Sequence, residues 1–188
     1  MKNILVTGGS GFIGSHTCLY LLEKGFNVFI IDSFQNSSEK VIERILEIYK
    51  SGNNNPNINL ELFKGDLCDK KFLKDVFLEI TKVNKEIDGV IHFAGFKSVA
   101  ESIIEPLSYW RNNLIGTINL LEIMNEFNCK SLVFSSSATV YKPRENLILN
   151  ESSKLGPINP YGSTKYTIEI LLKDLFKSSV NYWKLASL

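Results

Sequence analysis

At 188 residues, 44% hydrophobic and 22% charged, the chain has the mass and composition of one folded domain rather than a disordered or fibrous chain. Twenty-one basic residues against twenty acidic ones leave a net charge of +1, so no basic field is offered to nucleic acid and no polybasic face to a membrane. Cys18, Cys68 and Cys129 are odd in number, widely spaced and without metal-ligand spacing, which predicts buried thiols in a reducing compartment and no metal site. The apolar runs are too short to span a bilayer and the N-terminus runs straight into a strand pattern. A cytoplasmic location is the expectation.

In chain order, residues 2–7 read as a short strand around Ile4-Leu5-Val6, followed at once by Gly8-Gly9-Ser10-Gly11-Phe12-Ile13-Gly14. A helix-period segment runs to about Lys24, Gly25 ends it, and residues 27–31 form a second strand closed by Asp32. Strand, glycine turn, helix, strand and acid stand in the order that a dinucleotide site requires. Gly8 is expected to allow the tight turn, Gly11 to bring backbone near a pyrophosphate, and Gly14 to let the helix pack close. The anion would then rest on the unpaired amides at the helix start. A carboxylate at Asp32 can accept both hydroxyls of an adenosine ribose and repels a 2′-phosphate, which favours NAD over NADP.

Residues 33–38 read as a polar loop, with Ser37 or Ser38 capping a helix over 39–50. Residues 51–57, rich in asparagine, are a surface loop before a third strand at 58–63. Asp69 caps a helix over 70–81, and 88–93 is a fourth strand entering Ala94-Gly95-Phe96. One long helix is expected over 106–127, with Pro106 in its first turn. A fifth strand at 130–134 runs into Ser135-Ser136-Ser137, a proline-containing loop occupies 142–160, a helix covers 161–177, and 182–188 begins a sixth strand. Strands alternating with helices predict the α/β class: a Rossmann-type doubly wound parallel sheet with helices on both faces. Ligand groups should collect beyond the carboxyl ends of its strands. His16 and His92 lie far apart and without clustered ligands, so both read as packing residues.

Tyr161 and Lys165 are four residues apart on one helix face. An ammonium beside a phenol favours the phenolate, which matters because an unperturbed tyrosine, at about 10, is a poor base at neutral pH. Ser137 leaves the fifth strand where its hydroxyl could orient a substrate hydroxyl or relay its proton to Tyr161.

TGGSGFIGSHT at 7–17, HFAGFKSVAES at 92–102, NNLIGTINLLEIM at 112–124, SSSATVY at 135–141 and NPYGSTK at 159–165 resemble the extended short-chain dehydrogenase/reductase superfamily. Within that superfamily the chain is similar to the UDP-glucose 4-epimerase family, over essentially its whole length. The resemblance implies Ser137, Tyr161 and Lys165 as catalytic residues. It implies cofactor contacts from Phe12 and Ile13, from Asp32, Ser33, Phe34, Gln35, Asn36 and Ser37, and from Asp66 and Leu67. Phe93, Ala94, Gly95, Lys97 and Asn113 belong to that set, with Lys97 near the cofactor's ribose or phosphates, and Tyr161 and Lys165 complete it, the lysine reaching ribose hydroxyls. It also implies the reaction. Tyr161 takes the proton of the sugar 4-hydroxyl as hydride passes from C4 to bound NAD, the 4-keto sugar turns over, and hydride returns to its other face. UDP-glucose and UDP-galactose would be the substrates, without net redox, and a homodimer through the helices at 106–127 and 161–177 is implied.

Related dehydratases carry an acid pair directly after the serine or threonine that ends the fifth strand, where this chain has Ala138-Thr139. Lys142 replaces a glycine usual after the SSSATVY run. Members of the family continue well beyond this length into a C-terminal domain that holds the uridine nucleotide and sugar. The expectation is therefore that residues 1–188 are an NAD-binding domain incomplete at its C-terminus, with impaired UDP-sugar binding. The alternatives are another NAD-dependent nucleotide-sugar oxidoreductase or dehydratase, or an NAD-binding fragment without turnover.

Overall fold

The computed structural model describes residues 2–52, 59–82, 86–143, 148–178 and 182–188. Six strands, β1 (Asn3–Thr7), β2 (Asn27–Asp32), β3 (Leu60–Lys64), β4 (Gly89–His92), β5 (Ser131–Phe134) and β6 (Lys184–Ser187), form one parallel sheet in the order β3-β2-β1-β4-β5-β6. The order reverses between β1 and β4, so a crevice opens at the carboxyl ends of those two strands. Between the strands lie α1 (Phe12–Glu23), α2 (Lys40–Gly52), α3 (Lys70–Lys82), α4 (Val99–Ile104), α5 (Pro106–Tyr109), α6 (Gly116–Glu126) and α7 (Pro160–Lys177).

Alternation along the strands builds two cores. On β2, Phe29 and Ile31 point to one face, where they join Leu5, Val90, Leu132 and Phe134 beneath α3, α6 and α7. Val28 and Ile30 point to the other, packing with Val6, Cys18, Leu22, Ile45 and Tyr49 under α1 and α2. Burial on both faces explains why the strands read as continuous apolar runs rather than alternating ones.

The helix expected over 106–127 is not continuous. Glu105 sits at φ −120° and ψ 57°, outside the helical region that a residue before proline avoids, and separates α4 from α5. Residues Trp110–Ile115 then form a π-helical turn before α6 begins. Helix α4 was not expected, although Ser98-Val99-Ala100-Glu101 is a capping-box pattern and Ser98 Oγ accepts the Glu101 amide at 3.3 Å. Asp69 caps α3 as expected, through its Oδ1 and the Phe72 amide at 3.0 Å. Most of the loop expected at 51–57 lies outside the described residues, although Ser51 and Gly52 belong to α2.

His92 closes the sheet onto α6. Thr117 Oγ1 donates to the Asn113 carbonyl at 2.6 Å, so it accepts from His92 Nε2 at 2.8 Å. That leaves His92 Nδ1 to accept the Thr7 hydroxyl at 2.6 Å. The ring is 1% exposed, and burial pushes its pKa down to about 3, so it is neutral in the folded protein. An unfolded histidine titrates near 6.5, so between the two values the unfolded chain binds the extra proton and stability falls as pH falls. Between pH 6 and 5, above the carboxylate range, urea unfolding should lose stability with a slope approaching about 1.4 kcal/mol per pH unit. His92→Gln, which keeps a donor and an acceptor, should flatten that slope, and an unchanged slope would show that another group supplies it.

Candidate active site

The crevice beyond β1 and β4 holds a cavity of about 370 Å³, within the usual range for a small-molecule site. Its floor is the glycine turn. Gly8 has φ +70°, and a Cβ there would meet the Ala94 nitrogen at 2.6 Å. A Cβ on Gly14 would lie 2.2 Å from the Gly8 carbonyl oxygen, so helix α1 is seated on the turn itself. Gly11 has ordinary extended backbone, at φ −74°, and space for a Cβ limited only by the Gly8 carbonyl at 3.3 Å. The steric demand falls on Gly8 and Gly14. Among the described residues no side chain caps the start of α1, which opens on the cavity beside Phe12 and Ile13. These two apolar side chains are 76% and 59% exposed, a surface that a bound ligand would cover.

Asp32 is not a solvated strand end. It is buried, its Oδ2 accepts the Ser10 amide at 2.9 Å, and its Oδ1 accepts the Phe34 amide at 2.9 Å and the Ser37 hydroxyl at 2.8 Å. The carboxylate ties the glycine turn to the loop after β2, and Oδ2 keeps an acceptor direction. Because Ser37 serves Asp32, Ser38 opens α2, its carbonyl accepting the Val41 amide. Asp66, beyond β3, accepts the Cys68 amide at 2.8 Å and Gln35 Nε2 at 3.3 Å.

Gly8, Gly11, Phe12, Ile13, Gly14, Asp32, Ser33, Gln35, Asn36, Ser37, Asp66, Leu67, Phe93, Ala94, Gly95 and Lys97 all line this one cavity, and so do Tyr161 and Lys165. Three expected residues do not. Phe34 adopts a left-handed φ of 57° and turns its ring beneath the Lys64 ammonium, contributing only its amide to Asp32. Asn113 is buried behind the wall: its Oδ1 accepts the Phe96 amide at 2.8 Å, and its Nδ2 donates to the Phe96 carbonyl and to Thr164 Oγ1. Its neighbour Asn112 lines the cavity instead. Ser137 stands off the wall and caps the short 3₁₀ turn at Ala138–Val140, accepting the Thr139 amide at 3.2 Å and the Thr139 hydroxyl at 2.9 Å. With both lone pairs occupied, its own proton remains to be donated.

Ser10, Gly65, Phe96, Ser135 and Ser136 also line the cavity, although none is among the individual contacts the resemblance implies. Ser10, Phe96, Ser135 and Ser136 lie in the segments after β1, β4 and β5, where the strand pattern places ligand groups. Among the described residues, the buried Ser10 hydroxyl has no hydrogen-bond partner.

Lys165 is 5% exposed. Its Nζ donates to the Ser135 carbonyl at 2.8 Å and lies 4.6 Å from the centre of the Phe134 ring. Burial lowers its pKa to about 8, leaving it protonated at neutral pH but close to titrating. A buried cation and a phenol thus stand on consecutive turns of α7, both lining a crevice with a helix start at its floor, the kind of setting in which a titratable group marks a candidate functional site. Among the described residues no cluster of three or more His, Cys, Asp or Glu is arranged to hold a metal, and no helix is long and apolar enough to cross a membrane.

Residues 5–183 match the family profile described as GDP-mannose 4,6-dehydratase. The chain is 47% identical over 187 residues to the bifunctional UDP-glucose 4-epimerase and UDP-xylose 4-epimerase 1 of Pisum sativum, covering 100% of this chain and 51% of that protein. It is 44% identical to the UDP-glucose 4-epimerase of Bacillus subtilis, covering 98% of this chain and 51% of that one. Among solved structures, the UDP-glucose 4-epimerase of Bifidobacterium longum in complex with NAD+ and UDP superposes with a TM-score of 0.88 at 38% identity, over 99% of this chain and 52% of that one. The chain thus spans about half the length of the curated relatives it matches. With this sheet order and this glycine turn, the chain belongs to the GDP-mannose 4,6-dehydratase family of the extended short-chain dehydrogenase/reductases, where its similarity is to the UDP-glucose 4-epimerases.

Proposed function

We propose that the chain is the NAD-binding part of an enzyme that interconverts UDP-glucose and UDP-galactose at C4, with most of the contacts to the uridine nucleotide and sugar made by residues beyond these 188. The observation that carries this is the convergence on one cavity of an uncapped, glycine-seated helix start with Tyr161 and Lys165. The residues present fit a dinucleotide. The turn at Gly8 and Gly14 excludes side chains from the floor, and Phe12 and Ile13 offer uncovered apolar surface beside it. Asp32 Oδ2 keeps an acceptor direction for a ribose hydroxyl. Bound there, NAD would supply the acceptor and donor of hydride.

Tyr161 is the base that takes the sugar 4-hydroxyl proton and the acid that returns it. Lys165 supplies the positive charge that favours the phenolate in this buried setting. Ser137, with both lone pairs engaged by Thr139, donates its proton toward the substrate oxygen and orients it. Lys97 and the backbone at Phe93–Gly95 line the cofactor's path along the cavity. A homodimer belongs to the same proposal, since α4, α5 and α7 carry exposed Ile103, Ile104, Leu107, Ile170 and Phe176.

The family profile's description raises dehydration as a second reading. Eliminating water needs a general acid near the serine. The two following positions hold a methyl group, Ala138, and a hydroxyl, Thr139, that is turned onto Ser137. This favours epimerisation.

The test is calorimetric titration of the purified chain, followed by product analysis. One NAD+ should bind per chain, with NADP+ at least about tenfold weaker because a 2′-phosphate would face the Asp32 carboxylate. UDP-galactose should be converted to UDP-glucose feebly by these 188 residues, and readily by a chain extended to the length of the relatives. Absence of NAD+ binding at millimolar concentration would overturn the cofactor assignment, and a 4-keto-6-deoxy product would favour the dehydratase. Rapid turnover by the short chain would refute the division of labour.

A further inference from the structure

Helix α7 carries a third polar side chain on the stripe that presents Tyr161 and Lys165: Glu169, one turn beyond Lys165. Its carboxylate accepts the hydroxyl of Ser136. Among the described residues, Glu169 has no salt-bridge partner. Ser136 lines the cavity and is the residue before Ser137.

The three serines that leave β5 are each held differently. The Ser135 amide donates to the His92 carbonyl at 3.1 Å, while its own carbonyl accepts Lys165 Nζ at 2.8 Å. The Ser136 amide donates to the Leu188 carbonyl at 2.8 Å, and its hydroxyl is taken by Glu169. Among the described residues, Ser137 is held from its own side of the chain, its hydroxyl by Thr139 and its carbonyl by the Val140 amide at 3.1 Å. Two consecutive turns of α7 thus grip two consecutive residues of the strand tip. Lys165 holds a carbonyl, and Glu169 offers the acceptor that holds a hydroxyl. Strand tip and helix come from segments about thirty residues apart, and these two bonds fix how far the tip slides along α7.

We propose that Glu169 is a positioning residue: through Ser136 it sets the register of the Ser135–Ser137 tip against α7, and so the approach of the Ser137 hydroxyl to the substrate oxygen served by Tyr161. This rests on the reaction proposed above for the same site. Glu169 acts through the acceptor it offers rather than through its charge. A glutamine, whose carboxamide oxygen accepts the same hydroxyl, should therefore replace it, and an alanine should not.

The test uses Glu169→Ala, Glu169→Gln, Ser136→Ala and the double variant Glu169→Ala/Ser136→Ala, with Glu122→Gln on the exposed face of α6 as a control. Hydrogen–deuterium exchange on the 188-residue chain should rise about tenfold across the Ser135–Ser137 amides in both alanine variants. It should remain near the parent in Glu169→Gln and Glu122→Gln, and the double variant should exchange no faster than either single one. In the turnover assay of the extended chain, kcat should fall about tenfold in Glu169→Ala with KM within twofold, and Glu169→Gln should restore it. Parental exchange in Glu169→Ala, equal loss in the alanine and glutamine variants, or additive effects would each overturn the proposal. Should the parent not interconvert the UDP-sugars, the proposed reaction fails, and the exchange experiment alone decides whether Glu169 holds the strand tip.

Discussion

Tyr161→Phe should reduce kcat for UDP-galactose epimerisation in the extended chain by about 10³-fold while the NAD+ dissociation constant stays within about twofold. The phenol oxygen is the one group here expected to take and return the 4-hydroxyl proton, and a positioned acid–base group contributes typically 10²–10⁴-fold. Phenylalanine preserves the ring packing of a residue that is only 9% exposed, so the fold and the glycine turn are untouched. The neighbourhood that serves the phenol comes at a cost to the fold. Lys165 is nearly fully buried with its pKa lowered to about 8 by desolvation, and one carbonyl, that of Ser135, accepts from it. A buried cation is retained against its desolvation penalty where it supplies charge to chemistry. Steady-state kinetics and calorimetry on the same preparation check the prediction, and turnover within tenfold of the parent would remove Tyr161 from the role of base.

Gly14→Val should abolish measurable NAD+ binding and destabilise the chain by about 3 kcal/mol or more, judged from backbone overpacking. The first added carbon would lie 2.2 Å from the Gly8 carbonyl oxygen and 2.9 Å from the Gly9 Cα. Both are backbone atoms that no rotamer change can move. Relief requires α1 to lift from the turn, which carries the amides of its first turn away from the cavity floor. Gly11→Ala is the matched control, because its nearest neighbour is one carbonyl at 3.3 Å and its φ is ordinary. It should retain most of the affinity. Urea unfolding and NAD+ titration of the two variants separate the effects, and equal losses would show that the turn is governed by glycine flexibility rather than by the seating of α1.

The contrast between Gly8, Gly11 and Gly14 shows how far sequence pattern reaches. Spacing alone marks three glycines as equivalent members of one motif. Only the packed turn reveals that two are demanded by contact with the Gly8–Ala94 backbone and the third is not. Helix α4 has its signal in the Ser98–Glu101 capping box, but the strong apolar period that marks a helix begins only after Pro106. The π turn at Trp110–Ile115 had no such signal. Hydrophobic period distinguishes 2 from 3.6 residues, but one widened turn inside a helix leaves the pattern almost unchanged.

What the sequence determined by itself is the six strands and the helices outside 99–115, the glycine turn and helix start after β1, the acid ending β2, and the pairing of Tyr161 with Lys165 on one helix face. These are local properties, set by residue type and spacing along a single segment. Tertiary structure decided which polar groups meet. It turned Asp32 inward onto Ser10 and Ser37, buried Asn113 behind the wall with Asn112 facing the cavity, and brought Glu169 to Ser136. Each of those bonds except the one to Ser37 joins segments more than twenty residues apart. Their geometry is fixed only when the sheet closes and every buried donor must find its acceptor.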